Sequence, residues 1–416
     1  MNLPVLTLRP LRAGPQLSSE ESRERWVRRR VGITWGLLFL NVLTFADGTW
    51  NGLPLIVPIP HVIGKLITQG ALPAALLMAL TVNRRLAIRP NVFMCLLSLL
   101  VIEAFVSSLH PVGHVIGTLY RTFRLAGFVT TLWLLTPWWG RRDMLLVKCQ
   151  LISLAVVLGS VILGLLVAPG RALTQGRLSG EFWPIPPTQV ADFAAVALGL
   201  VAMLWLCGLM RGRIAALAAP TAAIILLLTH TRIELVAMMA GILVGGLSLF
   251  MAKARVRKSF VIIGIALSLA ITAFSGVLTH WLARGESSQQ LGSLTGRTTV
   301  WTGVVNAPRD QFQVIFGYGL SNKSFNGLPI DSNWLAAYLD LGLIGVTICA
   351  ALLVFVFVSA YFQPRGAHRA IALFLVTYLA VTSITETGLS DASAYLMELT
   401  LAASLLVPPL DDWRPG

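Results

Sequence analysis

The sequence predicts an all-α, polytopic membrane protein of about twelve transmembrane helices, and three observations carry that expectation. Hydrophobic residues make up 56% of the chain and charged residues only 12%, an apolar share that a water-soluble fold would have to expose. Apolar runs recur from end to end at the roughly 20 residues a helix needs to cross about 30 Å of hydrocarbon. The basic residues fall in short groups between those runs, and the groups alternate in density as the positive-inside rule requires.

The expected spans are 31–50, 62–82, 91–109, 114–136, 145–168, 188–207, 214–230, 232–251, 259–279, 333–361, 367–385 and 389–408. Arg28, Arg29 and Arg30 precede the first run as in a signal peptide, but no small-residue cleavage site follows, so the run reads as an uncleaved first helix. LPLIVPIPH at 53–61 is apolar yet holds three prolines, which suits a loop or re-entrant approach better than a span. The organisation is then a basic cytoplasmic segment at 1–30, one transmembrane domain at 31–408 and a cytoplasmic tail at 409–416. The longest loop, 280–332, lies between the ninth and tenth helices, and a second loop on the same side covers 169–187.

Orientation follows from the charges. With the N-terminus inside, the seven inside segments hold 22 of the 32 basic residues and the outside segments seven, leaving Lys65, Arg121 and Arg124 within spans. One span more or fewer would spoil the alternation from that point on, so both ends are expected inside and the long loop outside.

The net charge of +14 is spread through these short groups, which speaks for topology and against a nucleic-acid partner. Cys95, Cys149, Cys207 and Cys349 sit in apolar segments without CxxC spacing. They read as small core residues and not as disulfides or zinc ligands. His230 and His280 match no metal motif, and neither metal nor cofactor is expected.

Ionisable residues at membrane depth mark candidate sites, because an unpaired charge there costs several kcal/mol. Arg121 and Arg124 in LYRTFRLAG are three apart on one face of the fourth span. Paired guanidiniums suit a phosphate or pyrophosphate, while an ion pair with Glu103 on the third span is the plainer alternative. Arg232, in LTHTRIEL, lies at a turn so short that its guanidinium sits at or below the membrane surface. A bridge to Glu234, or snorkelling to the interface, is its structural alternative.

In the long loop Arg297 and Trp301 are four apart and share a face if that segment is helical. Gly317 and Gly319, flanking Tyr318, mark a tight turn. Asp331 precedes an apolar run, where both helix capping and general-base chemistry are open to it. Glu386 and Asp391 flank the last outside turn and read as helix caps, and Glu398 reads as facing a neighbouring helix.

Taken together, GRLSG at 176–180, THTR at 229–232, GRTTVW at 296–301, FGYGL at 316–320 and DSNWLAAYLDLGLIG at 331–345 resemble the O-antigen ligase and O-antigen (polysaccharide) polymerase superfamily in order and spacing. The resemblance implies a GT-C-like, metal-independent glycosyltransferase of the bacterial inner membrane, working on the periplasmic or outer face. Its donor would be an undecaprenyl-pyrophosphate-linked glycan and its acceptor a glycan or a lipid-linked sugar. It assigns Arg232 and Arg297 to the donor's pyrophosphate and Asp331 to catalysis. Arg121, Arg124, Arg177, Asn333, Trp301 and Tyr318 are the expected substrate-binding residues. Ligases usually carry a His-Asn pair where this chain has Asp331, Ser332 and Asn333. That departure favours polymerisation of repeat units over ligation, and a non-enzymatic polysaccharide or lipid transporter is the alternative of another class.

Overall fold

The computed structural model describes residues 19–45, 56–109, 115–174, 176–250, 254–273, 297–321 and 323–408. Among the described residues the chain is all-α apart from two small hairpins, and each expected span overlaps a helix. The helices are α1 (Ser19–Val42), α2 (His61–Val82), α3 (Val92–Ser107), α4 (Val115–Leu135), α5 (Leu145–Val167) and the single turn α6 (Pro169–Ala172). Next come α7 (Pro187–Leu206), α8 (Gly212–Leu228), α9 (Arg232–Phe250) and α10 (Ala254–Ala273). The loop helices α11 (Arg297–Asn306) and α12 (Gln311–Phe316) lead to α13 (Asn333–Phe362), α14 (Ala367–Thr382) and α15 (Ala394–Ser404).

Five of these, α2, α5, α7, α9 and α13, are long and apolar enough to cross a membrane, and α3, α8 and α14 are apolar but shorter. Large apolar side chains such as Val62, Leu66, Ile116, Leu166 and Phe362 are exposed around the bundle, a surface suited to lipid and costly in water. The protein is therefore built as an all-α membrane protein.

Several boundaries differ from expectation. α1 begins at Ser19 and ends at Val42, because its basic first turns have helical partners: Arg28 and Arg141 both pair with Glu24, at 2.8 and 2.9 Å. The prolines of the 53–61 segment keep 56–60 irregular, and Pro60 stands at the N-cap of α2. α15 spans only 11 residues, starting where Ser393 accepts the Leu396 amide. His280, Asn322, most of the 1–30 segment and the 409–416 tail lie outside the described residues.

The expected tenth span is broken. Gly342 has φ 62° and ψ −159°, which splits α13 into a short first segment and a longer second one. The freed carbonyls of Leu339 and Asp340 accept the Tyr318 and Gly319 amides at 2.9 and 2.8 Å. FGYGL thus docks into the break, so closely that a Cβ on Gly317 would lie 2.4 Å from the Asp340 carbonyl. Gly319 approaches Thr118 as closely, and with φ of 81° and 85° both positions favour glycine.

The centre of the bundle is α7, with α9 and α14 against it; 72% of α7's apolar window is buried, compared with 33–39% in the other long helices. Close approach depends on small residues: a Cβ on Gly241 or Gly245 of α9 would lie 2.7 Å from the Phe374 carbonyl or 2.6 Å from that of Ala370 on α14. Cys149, Cys207 and Cys349 are buried as expected, but Cys95 is exposed, on the same face of α3 as Leu99 and Ile102.

Contacts sort the loops into two ends. At one, Arg28 and Arg141 meet Glu24 and Asp143. There too Arg89 donates to the Pro408 carbonyl at 2.5 Å, and the His368 ring lies 3.5 Å from the Arg141 carbonyl. These are the segments assigned inside by charge. The other end carries the candidate site.

Candidate functional site

The end opposite the basic segments is assembled from short elements that bring distant parts of the chain together. The hairpin β1 (Leu173–Thr174) and β2 (Arg177–Leu178) presents Arg177. Its Nε donates to the Thr229 carbonyl at 3.0 Å and its Nη2 to the Thr231 hydroxyl at 3.3 Å. Arg177 thus ties GRLSG to the turn between α8 and α9, where His230 adopts φ 53°. Arg232 is the first residue of α9. Glu234, two residues on and the alternative partner for Arg232, is buried against the Tyr378 hydroxyl of α14.

Arg297 opens α11, so Arg297 and Trp301 do lie on one helix at a spacing of four. Arg297 Nε donates to Asp331 Oδ2 at 3.0 Å. The capping reading of Asp331 fails: Ser332 occupies the N-cap of α13, without a side-chain bond, and the carboxylate turns to the guanidinium instead.

Asn333 is buried, with its Oδ1 accepting the amides of Gly388 and Leu389 at 2.7 Å each. This makes it a fastener of the 383–393 turn more than a surface for substrate. Tyr318 sits at the α13 break, its ring 5.1 Å from the Arg309 guanidinium and its hydroxyl donating to the Pro308 carbonyl at 3.5 Å. Tyr318 packs against a cluster with Val300 and Val304 of α11 and Ile330, sequence neighbours of Trp301 and Asp331. Trp301 has its indole N–H buried without a hydrogen-bond partner among the described residues.

Beside this group lies a cavity of about 490 Å³, walled by the ends of α1, α2, α4, α7, α9, α14 and α15. Its polar lining includes Lys65, Arg121, Arg124, Asp192, Glu234 and Glu386. Arg121 and Arg124 therefore share one wall, as their spacing predicts.

Their carboxylate partner is Asp391, at 3.8 and 3.9 Å, and not Glu103, which is buried on α3 with Oε1 unpartnered. Lys323, reaching from the hairpin β3 (Ser324–Phe325) and β4 (Leu328–Pro329), adds a third cation at 4.0 Å. Burial pushes the Asp391 carboxyl up, but Lys323, Arg124 and Arg121 outweigh it and hold Asp391 below its ordinary range. Asp391 is thus an ionic hub and not the helix cap expected of it, since Ser393 caps α15.

Glu386 joins the two groups. It lines the cavity while feeling Asp331, Arg297 and Arg177 electrostatically. Burial first, then the Asp331 carboxylate, push Glu386 up to about 8 against the pull of Arg297 and Arg177. One acid held ionised and another held near neutral within one site is an arrangement common where protons are moved.

Glu386, Asp391, Lys323 and Asp192 are the residues sequence reasoning missed or underrated. Asp192 carried a visible signal, a lone carboxylate in the apolar run of α7. Lys323 carried none, because its partner is Asp391, beyond α13 and α14 in sequence. A scan against protein-family models and a search of curated proteins both return no match for this chain.

Proposed function

We propose that this protein is a glycosyltransferase of the bacterial cytoplasmic membrane that polymerises lipid-linked saccharide units, with twelve spans, both ends in the cytoplasm and the site on the outer face. The observation that carries the proposal is the convergence of segments far apart in sequence. Arg177 is bonded to the THTR turn, Arg297 to Asp331, and Asn333 to the turn bearing Glu386.

In the reaction an acceptor hydroxyl attacks the anomeric carbon of the donor sugar. The bond from that carbon to the lipid pyrophosphate breaks, and the hydroxyl proton passes to Asp331. A single displacement inverts the anomeric centre. The leaving pyrophosphate needs positive charge more than a proton, and Arg232 and Arg297 supply it. Arg177 holds the turn from which Arg232 projects.

A second group of cations, Arg121, Arg124 and Lys65, lines the cavity. Two cationic groups favour polymerisation over ligation to a neutral acceptor, since a polymerase joins two substrates that both carry lipid pyrophosphate. Arginine forks suit both.

The test is extension of a synthetic undecaprenyl-pyrophosphate oligosaccharide by the purified protein in nanodiscs, with the anomeric configuration of the product read by NMR. Products of several repeat units with inverted linkage are expected. Transfer of a finished glycan to a separate acceptor without extension would assign a ligase. A carrier is a second reading, favoured by the break at Gly342, because discontinuous helices recur in transporters. Movement of the lipid-linked oligosaccharide across a protein-containing vesicle without chemical change would establish it instead.

A further inference from the structure

Below the cavity, in the interior of the bundle, four helices contribute acidic or phenolic groups that the proposed reaction does not use. Asp192 of α7 and Glu234 of α9 both line the cavity floor. Between them stands the Tyr378 hydroxyl of α14, 2.7 Å from Asp192 Oδ1 and in hydrogen-bond contact with Glu234 Oε2. Glu398 of α15 is fully buried, both its carboxyl oxygens lack a hydrogen-bond partner among the described residues, and its electrostatic neighbours are Asp192 and Glu234.

Proton counting follows from this geometry. A tyrosine hydroxyl has one hydrogen to donate, so it serves only one of the two carboxyls it touches. The other must bring a proton of its own to bond the phenolic oxygen. Glu398 adds a third carboxyl, and among the described residues no Lys or Arg is ion-paired with any of the three. Uncompensated charge is not sustained at this depth.

The other titratable groups facing the cluster are Tyr395 of α15 and Glu386 in the preceding turn. Across the cavity stand Lys65 of α2 and Arg121 and Arg124 of α4. Among the described residues no group of three or more His, Cys, Asp or Glu side chains converges as a metal site would, and the single phenolic hydrogen between two carboxyls calls for a bound proton.

We propose that Asp192, Glu234, Tyr378 and Glu398 form a proton-holding site in the membrane interior that exchanges protons with the cavity through Asp192 and Glu234. It is independent of which reaction the cavity hosts, and it stands if the glycosyltransferase reading fails.

The test uses the full chain in nanodiscs treated with dicyclohexylcarbodiimide. The O–H of a protonated carboxyl adds across a C=N bond of this apolar reagent, and the adduct rearranges to a stable acylurea located by mass spectrometry. At neutral pH, adducts are expected at Glu398 or Glu234 at about tenfold or more the level at the ion-paired Glu24 and Asp143. The yield should fall about tenfold per pH unit once the groups titrate. Glu398→Gln should remove the adduct at that position. An infrared difference spectrum between acid and alkaline pH should show the protonated-carboxyl C=O band, weakened in Glu398→Gln. Absence of both adducts and band overturns the proposal. So does suppression of labelling by sodium or lithium, but not choline, at fixed pH and ionic strength, which would assign a cation site.

Discussion

Replacing Asp331 by Asn separates a structural carboxylate from a chemical one. The Arg297–Asp331 pair is 3.0 Å long, with side chains 28% and 35% exposed. At that exposure solvent screens the attraction, and the pair contributes about 1 kcal/mol or less. Asn keeps the shape and can still accept a bond from Arg297 Nε, and Asp331 caps no helix. Folding should therefore be nearly unchanged, with a small shift in thermal unfolding in detergent. If Asp331 receives the acceptor's proton, Asn cannot replace it, and turnover should fall by roughly two to four orders of magnitude with donor affinity preserved.

The assay is single-turnover extension of the lipid-pyrophosphate oligosaccharide, with donor binding measured separately. Asp331→His should retain partial activity, because imidazole can also accept a proton. The double variant Asp331→Asn with Arg297→Ala should lose far less than the product of the single losses, since residues acting as a unit are not additive. Near-wild-type turnover in Asp331→Asn would refute the base assignment and leave the proton to Glu386.

The remaining predictions address other parts of the site. Arg121→Ala with Arg124→Ala should weaken acceptor binding at least about tenfold while leaving donor binding within about twofold, one bidentate guanidinium contact being about 1.5–3 kcal/mol; equal loss for both substrates would contradict two separate anion sites. For Glu386, raised from 4.5 to about 8, the folded protein holds a proton that the unfolded chain releases, so its contribution to stability is full below 4.5 and is lost as pH rises through about 8. Glu386→Gln should flatten the fall in thermal stability over that window, and an unchanged pH profile would remove the assignment. Gly342→Ala should destabilise the protein by about 1–3 kcal/mol or more, because its φ is +62° and the added Cβ would meet the Ile315 carbonyl at 2.3 Å; thermal unfolding and protease sensitivity at 311–321 report it. Lastly, in a Cys95→Ser background, a cysteine at Asp310 should react with an impermeant maleimide from outside and one at Arg365 only after the membrane is opened, both positions being exposed; the reverse pattern would invert the topology.

The fold was legible because its signal is local. Each apolar run is decided within about 20 residues. What the sequence concealed was made by contacts across the chain. The run from 333 to 361 reads as one span because hydropathy does not register a glycine with φ +62°, and only the carbonyls accepting from Tyr318 and Gly319 show why the helix stops and restarts.

Ion partners were concealed for the same reason. Arg121 and Arg124 were recognisable as a pair by spacing, yet the acid was sought on the adjacent helix at Glu103 when it lies at Asp391, beyond α14. Capping was open to Asp331 because it is a local rule, whereas its partner Arg297 is 34 residues away.

The break in α13 also connects loop to cavity. Docking FGYGL at Leu339 and Asp340 fixes the start of α13 against the loop, and Asp340 Oδ1 accepts the Ser321 hydroxyl at 2.6 Å, whose oxygen in turn accepts the Lys323 amide. From that anchored start, Asn333 grips the Gly388 and Leu389 amides, and the same short turn carries Glu386 and Asp391. The loop acid Asp331 and the cavity acid Glu386 are therefore held in register by the intervening Asn333, whose buried side-chain oxygen holds two backbone amides of the turn. A site divided between a loop and a membrane cavity needs such a fastening, because a shift of about 1 Å between reacting groups is enough to cost two orders of magnitude in rate.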